Sequence, residues 1–209
     1  MAQFNLTWFN TAVIINPNAT GQRVSHRQKS VGGAFTTAGY TPANDLPKTA
    51  SAAQSPALTD NVVWEFKVEA LCTVGGPTIN DNGLQEGLKF ACLVPTLSWD
   101  TEEATISLNV ANTDITQATF VLHLAADDSV VSGPTTVART GTVITHTVTG
   151  LDPDTEYYWE FIEYAIVDGS QIASNDAGQL GASCESVNFT TDEDTCAPIT
   201  DITAEATEA

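Results

Sequence analysis

The run from Leu151 to Phe161, Leu-Asp-Pro-Asp-Thr-Glu-Tyr-Tyr-Trp-Glu-Phe, constrains the fold more than any other part of the sequence. Pro153 and the aspartates on either side of it favour a turn. Tyr157, two residues after Thr155, opens an aromatic strand in which a ring can be buried while its hydroxyl group bonds to backbone just upstream. Leu151, Pro153, Thr155 and Tyr157 therefore predict a turn that leads into an aromatic strand, with the tyrosine ring buried at the start of that strand.

Apolar and polar residues alternate in several other stretches. Residues 104–110 place Ala, Ile, Leu and Val on one face and Thr, Ser and Asn on the other, and residues 64–70 place Trp, Phe, Val and Ala opposite Glu, Lys and Glu. A period of two residues indicates strands with one buried face, as in antiparallel sheets. Because helical periodicity is scarce, the expected fold class is all-β.

The two halves of the chain resemble each other. Trp64-Glu-Phe66 matches Trp159-Glu-Phe161, and Phe90 and Phe189 each begin a closing strand. A repeat of about 95 residues is the size of one β-sandwich domain. We predict a first domain at residues 1–94, a second at residues 95–191 and an acidic C-terminal tail at residues 192–209.

With its corner motif at Leu151–Phe161 and strands on both sides, the second repeat resembles a fibronectin type III domain. The first repeat has Val62 where the corner tyrosine stands in the second, and its first strand, Phe4-Asn-Leu-Thr-Trp8, corresponds to the family's second strand. The resemblance implies two tandem fibronectin type III, or Ig-like, β-sandwich domains. The first would lack its own strand A.

The formal charge of −19 lies in one half of the chain. Residues 1–99 hold six acidic and six basic side chains, whereas residues 100–209 hold 20 acidic ones against Arg139 alone. Such a surface repels nucleic acid and anionic membranes, so neither is an expected partner. Arg23, Arg27 and Lys29 form the one basic cluster. They predict either a solvated sheet face or a contact for the acidic second domain of an adjacent subunit.

The C-terminal tail offers a candidate for the vacant edge of the first domain. Cys92-Leu-Val-Pro95-Thr opens the second repeat, and Cys196-Ala-Pro198-Ile-Thr looks like the opening of a third. The tail is either a frayed acidic end or a donor strand for a neighbour's first domain. The donor residues would be Ile199, Thr200, Asp201, Ile202 and Thr203. Head-to-tail exchange of this kind produces rings or filaments of the chain with itself.

Residues that could carry catalysis are few. His26, His123 and His146 fall on predicted strands and belong to no recognisable catalytic or zinc motif. Acidic turns at residues 152–154 and 192–194, and the Asn-Asp-Asn-Gly turn at 80–83, raise calcium as an alternative to solvated turns. The last of these lacks the glutamate that a calcium loop needs. We expect a protein that is not an enzyme and has no cofactor, no catalytic residue and no metal site.

The cysteines and the N-terminus bear on the compartment. Cys72, Cys92, Cys184 and Cys196 have no C-x-x-C spacing, and the first residues lack the basic and apolar stretches of a secretory signal. We therefore expect free thiols in a protein made in a reducing cytosol. Two loops, at about residues 72–86 and 167–184, are further candidates for recognition.

These observations favour a structural protein over the other classes weighed. The chain has few lysines and has Thr/Asn-rich strands. In these features it is similar to virion proteins of tailed phages of the podovirus type, with crAss-like phages as one candidate. The implied function is a neck or tail ring, collar or head-decoration component of the virion, assembled in the host cytoplasm. Its partners would be copies of itself and other virion proteins. A bacterial surface adhesin or carbohydrate-binding module, with a sugar receptor, is the alternative, and an accessory module of an enzyme is the third.

Overall fold

The computed structural model describes residues 1, 3–8, 18–43, 45–73, 78–79, 84–176 and 179–194. These residues form sixteen β-strands, and every strand pairing among them is antiparallel. Within the same ranges no helix is long and apolar enough to cross a membrane. The predicted all-β fold class is confirmed.

The first domain contains seven strands in two sheets. β1 pairs with β4, and the larger sheet has the order β3-β2-β5-β6, with β7 also on β5. The strands are β1 (Asn5–Thr7), β2 (Ala19–Gln28), β3 (Asp45–Leu46), β4 (Ala52–Gln54), β5 (Trp64–Cys72), β6 (Thr78–Ile79) and β7 (Gln85–Gly87). Among the described residues β1 pairs with β4 alone, so this small sheet lacks a third strand where the second domain has one.

The second domain contains nine strands, also in two sheets. One sheet has the order β8-β9-β12, and the other has the order β11-β10-β13-β14, with β15 and β16 also on β13. The strands are β8 (Pro95–Trp99), β9 (Glu103–Asn109), β10 (Ile115–Leu124), β11 (Val130–Ala138), β12 (Val143–Thr149), β13 (Glu156–Val167), β14 (Ser170–Ala173), β15 (Cys184–Glu185) and β16 (Phe189–Thr190). In the order in which the strands lie in each sheet, these are strands A, B and E in one sheet and C′, C, F and G in the other, with strand G in three pieces.

The strand orders confirm the tandem Ig-like sandwich. β1 and β4 occupy the B and E positions of the first domain, and β3, β2 and β5 occupy C′, C and F. The register of β2 on β5 also matches that of β10 on β13: Arg27 lies opposite Glu65 as Val121 lies opposite Glu160. The duplication predicted from Trp64 and Trp159 is therefore present in the strand pairing, and among the described residues of the first domain no strand occupies position A.

The tyrosine corner forms as predicted. The ring of Tyr157 is buried, and its hydroxyl oxygen accepts a hydrogen bond from the Asp152 backbone N–H at 3.1 Å. Thr155 closes the turn by donating from Oγ1 to the carbonyl oxygen of Pro153 at 2.9 Å. Leu151 is buried beneath the turn. The corner therefore fixes where β12 ends and β13 begins.

The larger hydrophobic core belongs to the second domain and extends into the first. Trp159, Phe120 and Phe161 are fully buried at its centre. Leu88 and Phe90, from the segment that joins the domains, pack into the same core. Burial of apolar surface is the main source of stability, at about 25 cal/mol for each Å². The connecting segment is therefore packed as core and does not behave as an exposed linker.

The expectation of free thiols is wrong for two of the four cysteines. Cys92 and Cys184 form a disulfide, with their Cα atoms 5.6 Å apart. Cys92 lies in the connecting segment, residues 88–94, and Cys184 opens β15, and strand pairing brings them together across 92 residues of sequence. Cys72 is a half-buried free thiol, as expected. Cys196 lies outside the described residues.

The interpretation of residues 167–184 as one long loop is also wrong. β13 turns at Asp168 and Gly169 directly into β14, which pairs with it. Both turn residues have positive φ, 48° and 75°, which suits an Asp-Gly hairpin whose twist matches that of its strands. The excursion lies later, between β14 and β15.

Candidate protein-binding surface

Asn61 fastens the first domain to the connecting segment. Its Nδ2 donates to the carbonyl oxygen of Ala91 at 2.7 Å, and its Oδ1 accepts from the Ala91 N–H at 2.9 Å. The backbone of Asn61 continues the contact, accepting from the Asp114 N–H of the second domain at 2.8 Å. In return an Asp114 carboxylate oxygen accepts from the Val63 N–H at 2.7 Å.

This clamp explains the missing tyrosine of the first repeat. Asn61 and Val62 stand at the E–F corner, and both are buried. Val63, the next residue, packs into the core of the second domain. A corner that faces another domain must satisfy its polar groups across the junction. Here the asparagine side chain provides those hydrogen bonds.

Glu163 holds the connecting segment from the other side. The alternating burial of β13 turns its side chain inward, where it is fully buried. One carboxyl oxygen accepts from the Leu93 N–H at 2.9 Å, and the other has no hydrogen-bond partner in the part of the chain that the structure describes. Burial raises the pKa of Glu163 to about 7, although the bond from Leu93 opposes the rise. The equivalent residue of the first repeat is Val68, so the carboxyl group is specific to this junction.

Lys29 belongs to the same junction. Its Nζ lies 2.6 Å from Glu86 Oε1, and Glu86 Oε2 accepts from the Asp168 N–H of the second domain at 2.8 Å. The backbone N–H of Lys29 donates to the carbonyl oxygen of Val63 at 3.0 Å. Lys29 was predicted either to lie on a solvated face or to contact an adjacent subunit, and here it contacts residues of its own chain.

Arg23 and Arg27 also have acidic partners within the first domain. Arg23 forms a two-pronged pair with Asp45, at 2.6 and 2.8 Å, and Arg27 Nε lies 2.6 Å from Glu65. The guanidinium of Arg27 stacks over the ring of Phe35 at 4.5 Å. These pairs favour the interpretation as a solvated, ion-paired sheet face. A contact with an adjacent subunit stays a prediction.

The predicted donor strand and the turn at residues 80–83 lie outside the described residues. The donor-strand residues are Ile199, Thr200, Asp201, Ile202 and Thr203. Donor-strand exchange therefore stays a prediction. In the ranges that the structure describes, no three His, Cys, Asp or Glu side chains come together as ligands for a metal ion.

Two of the histidines have structural surroundings. His26 Nδ1 lies 3.0 Å from the hydroxyl of Tyr40, and burial lowers the pKa of His26. His146 stacks against Phe120 with ring centroids 5.8 Å apart, and burial lowers its pKa as well. Both rings pack against other aromatic rings, as core or core-edge histidines do.

The most distinctive surface is one side of the β11-β10-β13-β14 sheet of the second domain, the side that faces away from the core. We call it the outer face. It consists of the outward side chains of the two central strands, β10 and β13: Gln117, Thr119, Val121, His123, Tyr158, Glu160, Ile162, Tyr164 and Ile166. Most are half-buried by their neighbours, and Ile166 is 40% exposed. One side of a solvated sheet thus carries two tyrosines and several aliphatic side chains.

The first domain shows what the same positions hold elsewhere in this chain. Where the second domain has Ile162 opposite Thr119, the first has Lys67 opposite Ser25. Tyr164 likewise replaces Glu69. Lys67 and Glu69 pair at 2.9 Å in the first domain. Among the positions that are charged on this face of the first domain, the second domain keeps a charge only at Glu160.

Carboxylates and one imidazole surround the aromatic side chains of the outer face. His123 stacks on Tyr158 with ring centroids 4.8 Å apart and planes 5° apart. His123 Nε2 lies 3.4 Å from Glu160, at an ion-pair distance without hydrogen-bond geometry. The Tyr158 hydroxyl donates to Asp128 at 3.3 Å, and Glu185 lies opposite Glu160 on the neighbouring strand. The surface is therefore apolar along its middle and acidic at its Tyr158 end.

This surface was not predicted from the sequence, although the sequence carries a signal for it. The repeat was recognised from the match of Trp64-Glu-Phe66 with Trp159-Glu-Phe161 alone. The next residues, Lys-Val-Glu at 67–69 and Ile-Glu-Tyr at 162–164, keep the same orientation in the strand but differ in polarity: the outward Lys67 and Glu69 become Ile162 and Tyr164, and Val68 becomes the buried Glu163. The three residues that follow the matched motif therefore indicate both the buried carboxyl group and the apolar outer face.

No protein-family model and no curated protein sequence matches the chain. Solved structures with a similar arrangement include the chicken CNTN1 FN1-FN3 domains (11% identity, TM-score 0.33) and a two-domain fibronectin type III segment of chicken tenascin (13%, 0.43). The chicken interferon gamma receptor alpha chain is a third (11%, 0.41). The matches cover 91%, 82% and 85% of this chain and 60%, 89% and 87% of those chains, in that order. Sequence identities and TM-scores this low do not assign the function of any of these proteins to this chain.

Proposed function

We propose that this chain is not an enzyme and that it works by binding other proteins, as a rigid two-domain structural module. The observation that carries the proposal is the outer face of the second domain, where uncharged side chains replace the ion pairs of the first. Exposed apolar patches with polar borders mark interaction sites in soluble proteins. The clamp of Asn61, the Leu93–Glu163 bond and the Cys92–Cys184 disulfide would hold that face in a fixed orientation.

In its specific form, the proposal is a structural protein of a tailed-phage virion, such as a neck or tail ring, a collar or a head decoration. The partners would be copies of the chain and other virion proteins, and the location would be the virion. A fixed two-domain spacer with one neutral and one acidic half supports a polarised building block. Negative-stain images of the purified protein should then show uniform rings or filaments. A monodisperse monomer at all concentrations would contradict this form.

A bacterial surface adhesin or carbohydrate-binding module is the second candidate. The Cys92–Cys184 disulfide favours it, because such bonds persist mainly in oxidising compartments. Tyr158 and Tyr164 would then present their rings to a sugar. A glycan array probed with the purified chain tests this candidate, with a Tyr158→Ala variant as the control. Glycan binding that the variant loses would support it, and an array without signal would count against it.

A further inference from the structure

We propose that the outer face of the second domain docks a protein segment that carries arginine or lysine side chains next to apolar ones. The inference rests on the proposed function and names the class of partner. The occupant is a cationic partner and is not a second copy of this chain. Three observations support that choice: the loss of Arg and Lys ion pairs on this face, the carboxylates at its border and the ion pairing of four of the chain's seven Lys and Arg side chains within the first domain.

The first observation is that the outer face lacks the Arg and Lys ion pairs that the equivalent face of the first domain has. In the first domain the equivalent positions neutralise one another through the Arg27–Glu65 and Lys67–Glu69 pairs. In the second domain, Val121 and Ile162 stand where Arg27 and Lys67 stand in the first. Covering these side chains would remove apolar area from water without breaking an ion pair. Apolar and tyrosine side chains at the centre of a patch are what protein interfaces use.

The second observation is the sign of the charge. Glu160 and Asp128 flank the Tyr158–His123 stack, and Glu185 lies across from Glu160. Arg139, the single basic side chain after residue 99, donates to carbonyl oxygens of Thr113, Ile115 and Gly141. His123 lies beside Glu160, but no lysine or arginine of the second domain neutralises these carboxylates. A partner with positive charge would be steered to the face and oriented on it.

The third observation argues against a second copy as the occupant. In the first domain, Arg23, Arg27, Lys29 and Lys67 each lie within 2.9 Å of a carboxylate oxygen of the same domain. To reach another copy's outer face, these side chains would have to leave their present partners. A separate protein with free basic side chains has no such cost.

The test uses the chain's own first domain as the template for a variant. The triple substitution Val121→Arg, Ile162→Lys and Tyr164→Glu copies Arg27, Lys67 and Glu69 onto the outer face. Its net charge change is matched by Asp154→Asn, at an exposed turn residue of the tyrosine corner. Asparagine tolerates the positive φ of 49° at that position. Ile162→Lys alone serves if the triple variant does not fold.

The probe is a synthetic ten-residue peptide of alternating arginine and leucine, with a glutamate–leucine peptide as the control. Titrated into the full ¹⁵N-labelled chain, the basic peptide should shift amide signals of β10 and β13, and the acidic peptide should not. The triple variant, or Ile162→Lys alone, should weaken binding about ten-fold or more, and Asp154→Asn less than about two-fold. The apparent Kd should rise with salt.

Four results would overturn the inference. Shifts spread over all acidic turns, or equal binding by the triple variant, would place the peptide elsewhere and leave the proposed function intact. Concentration-dependent shifts of the same amides without peptide would identify a second copy as the occupant. A chain that binds neither peptide nor any protein, and forms no assembly, would overturn the proposed function as well.

Discussion

Replacing Glu163 by glutamine tests how the junction holds the two domains together. The Glu163 carboxyl group is fully buried, accepts one hydrogen bond from the Leu93 N–H and has a second oxygen without a hydrogen-bond partner. Burial raises its pKa to about 7. Glutamine keeps a carbonyl oxygen for the Leu93 bond, has nearly the same volume and cannot ionise.

The sign of the effect follows from proton binding. In the unfolded chain a glutamate has a pKa near 4.3, so it loses its proton as the pH rises toward 7, while folded Glu163 keeps its own. The free energy of unfolding should therefore fall as the pH rises from about 4.5 to 7, and this contribution should level off above 7. The difference between a pKa near 4.3 in the unfolded chain and one of about 7 in the folded chain corresponds to ~3–4 kcal/mol. Glu163→Gln should remove that loss and be more stable than the unmodified chain at pH 8.

Urea unfolding at pH 5, 6, 7 and 8, followed by tryptophan fluorescence, measures the effect, because Trp159 is buried in the same core. Glu185→Gln provides a matched control, since Glu185 is exposed on the adjacent strand β15. The control should keep the pH dependence of the unmodified chain. The same pH dependence in Glu163→Gln would refute the assignment of that loss to Glu163.

Three further variants probe the junction and the corner. Removing the disulfide with Cys92→Ser and Cys184→Ser should lower the free energy of unfolding by ~4–5 kcal/mol, the value expected for a loop of this length, and an unchanged urea midpoint would contradict it. Asn61→Gly keeps the positive φ of 60° but loses both amide hydrogen bonds, so a loss of ~1–3 kcal/mol in the same assay is expected, and a change below ~0.5 kcal/mol would argue against the clamp. Tyr157→Phe keeps the ring but removes the acceptor for the Asp152 N–H, and it should cost ~1 kcal/mol; no measurable change would show that the ring alone holds the corner.

The tyrosine corner and the strands were predictable because their signals are local. Pro153 and Tyr157 lie four residues apart, and alternation shows in any window of a few residues. The hairpin after β13 had a signal too, because Asp168-Gly169 is a preferred two-residue turn. The sequence interpretation passed over it in favour of a long loop.

The disulfide and the junction were not predictable in the same way. Cys92 and Cys184 meet only because β15 pairs with β13 beside the connecting segment, and spacing alone does not report that pairing. The expectation of free thiols was an argument about the compartment and not about which cysteines the fold brings together. The role of Asn61 likewise depends on a second domain packed against the corner, which the absence of a tyrosine at Val62 hinted at but did not reveal.

The most direct measurement of how the chain works is site-specific photocrosslinking. A benzoylphenylalanine placed at Ile162, or at the equivalent Lys67 of the first domain, is activated in the cells that make the protein, and the crosslinked segments are sequenced by mass spectrometry. We expect a defined product at position 162, to a segment with arginine or lysine beside apolar residues, and little at position 67. Equal products at both positions, or none at position 162, would contradict binding through the outer face.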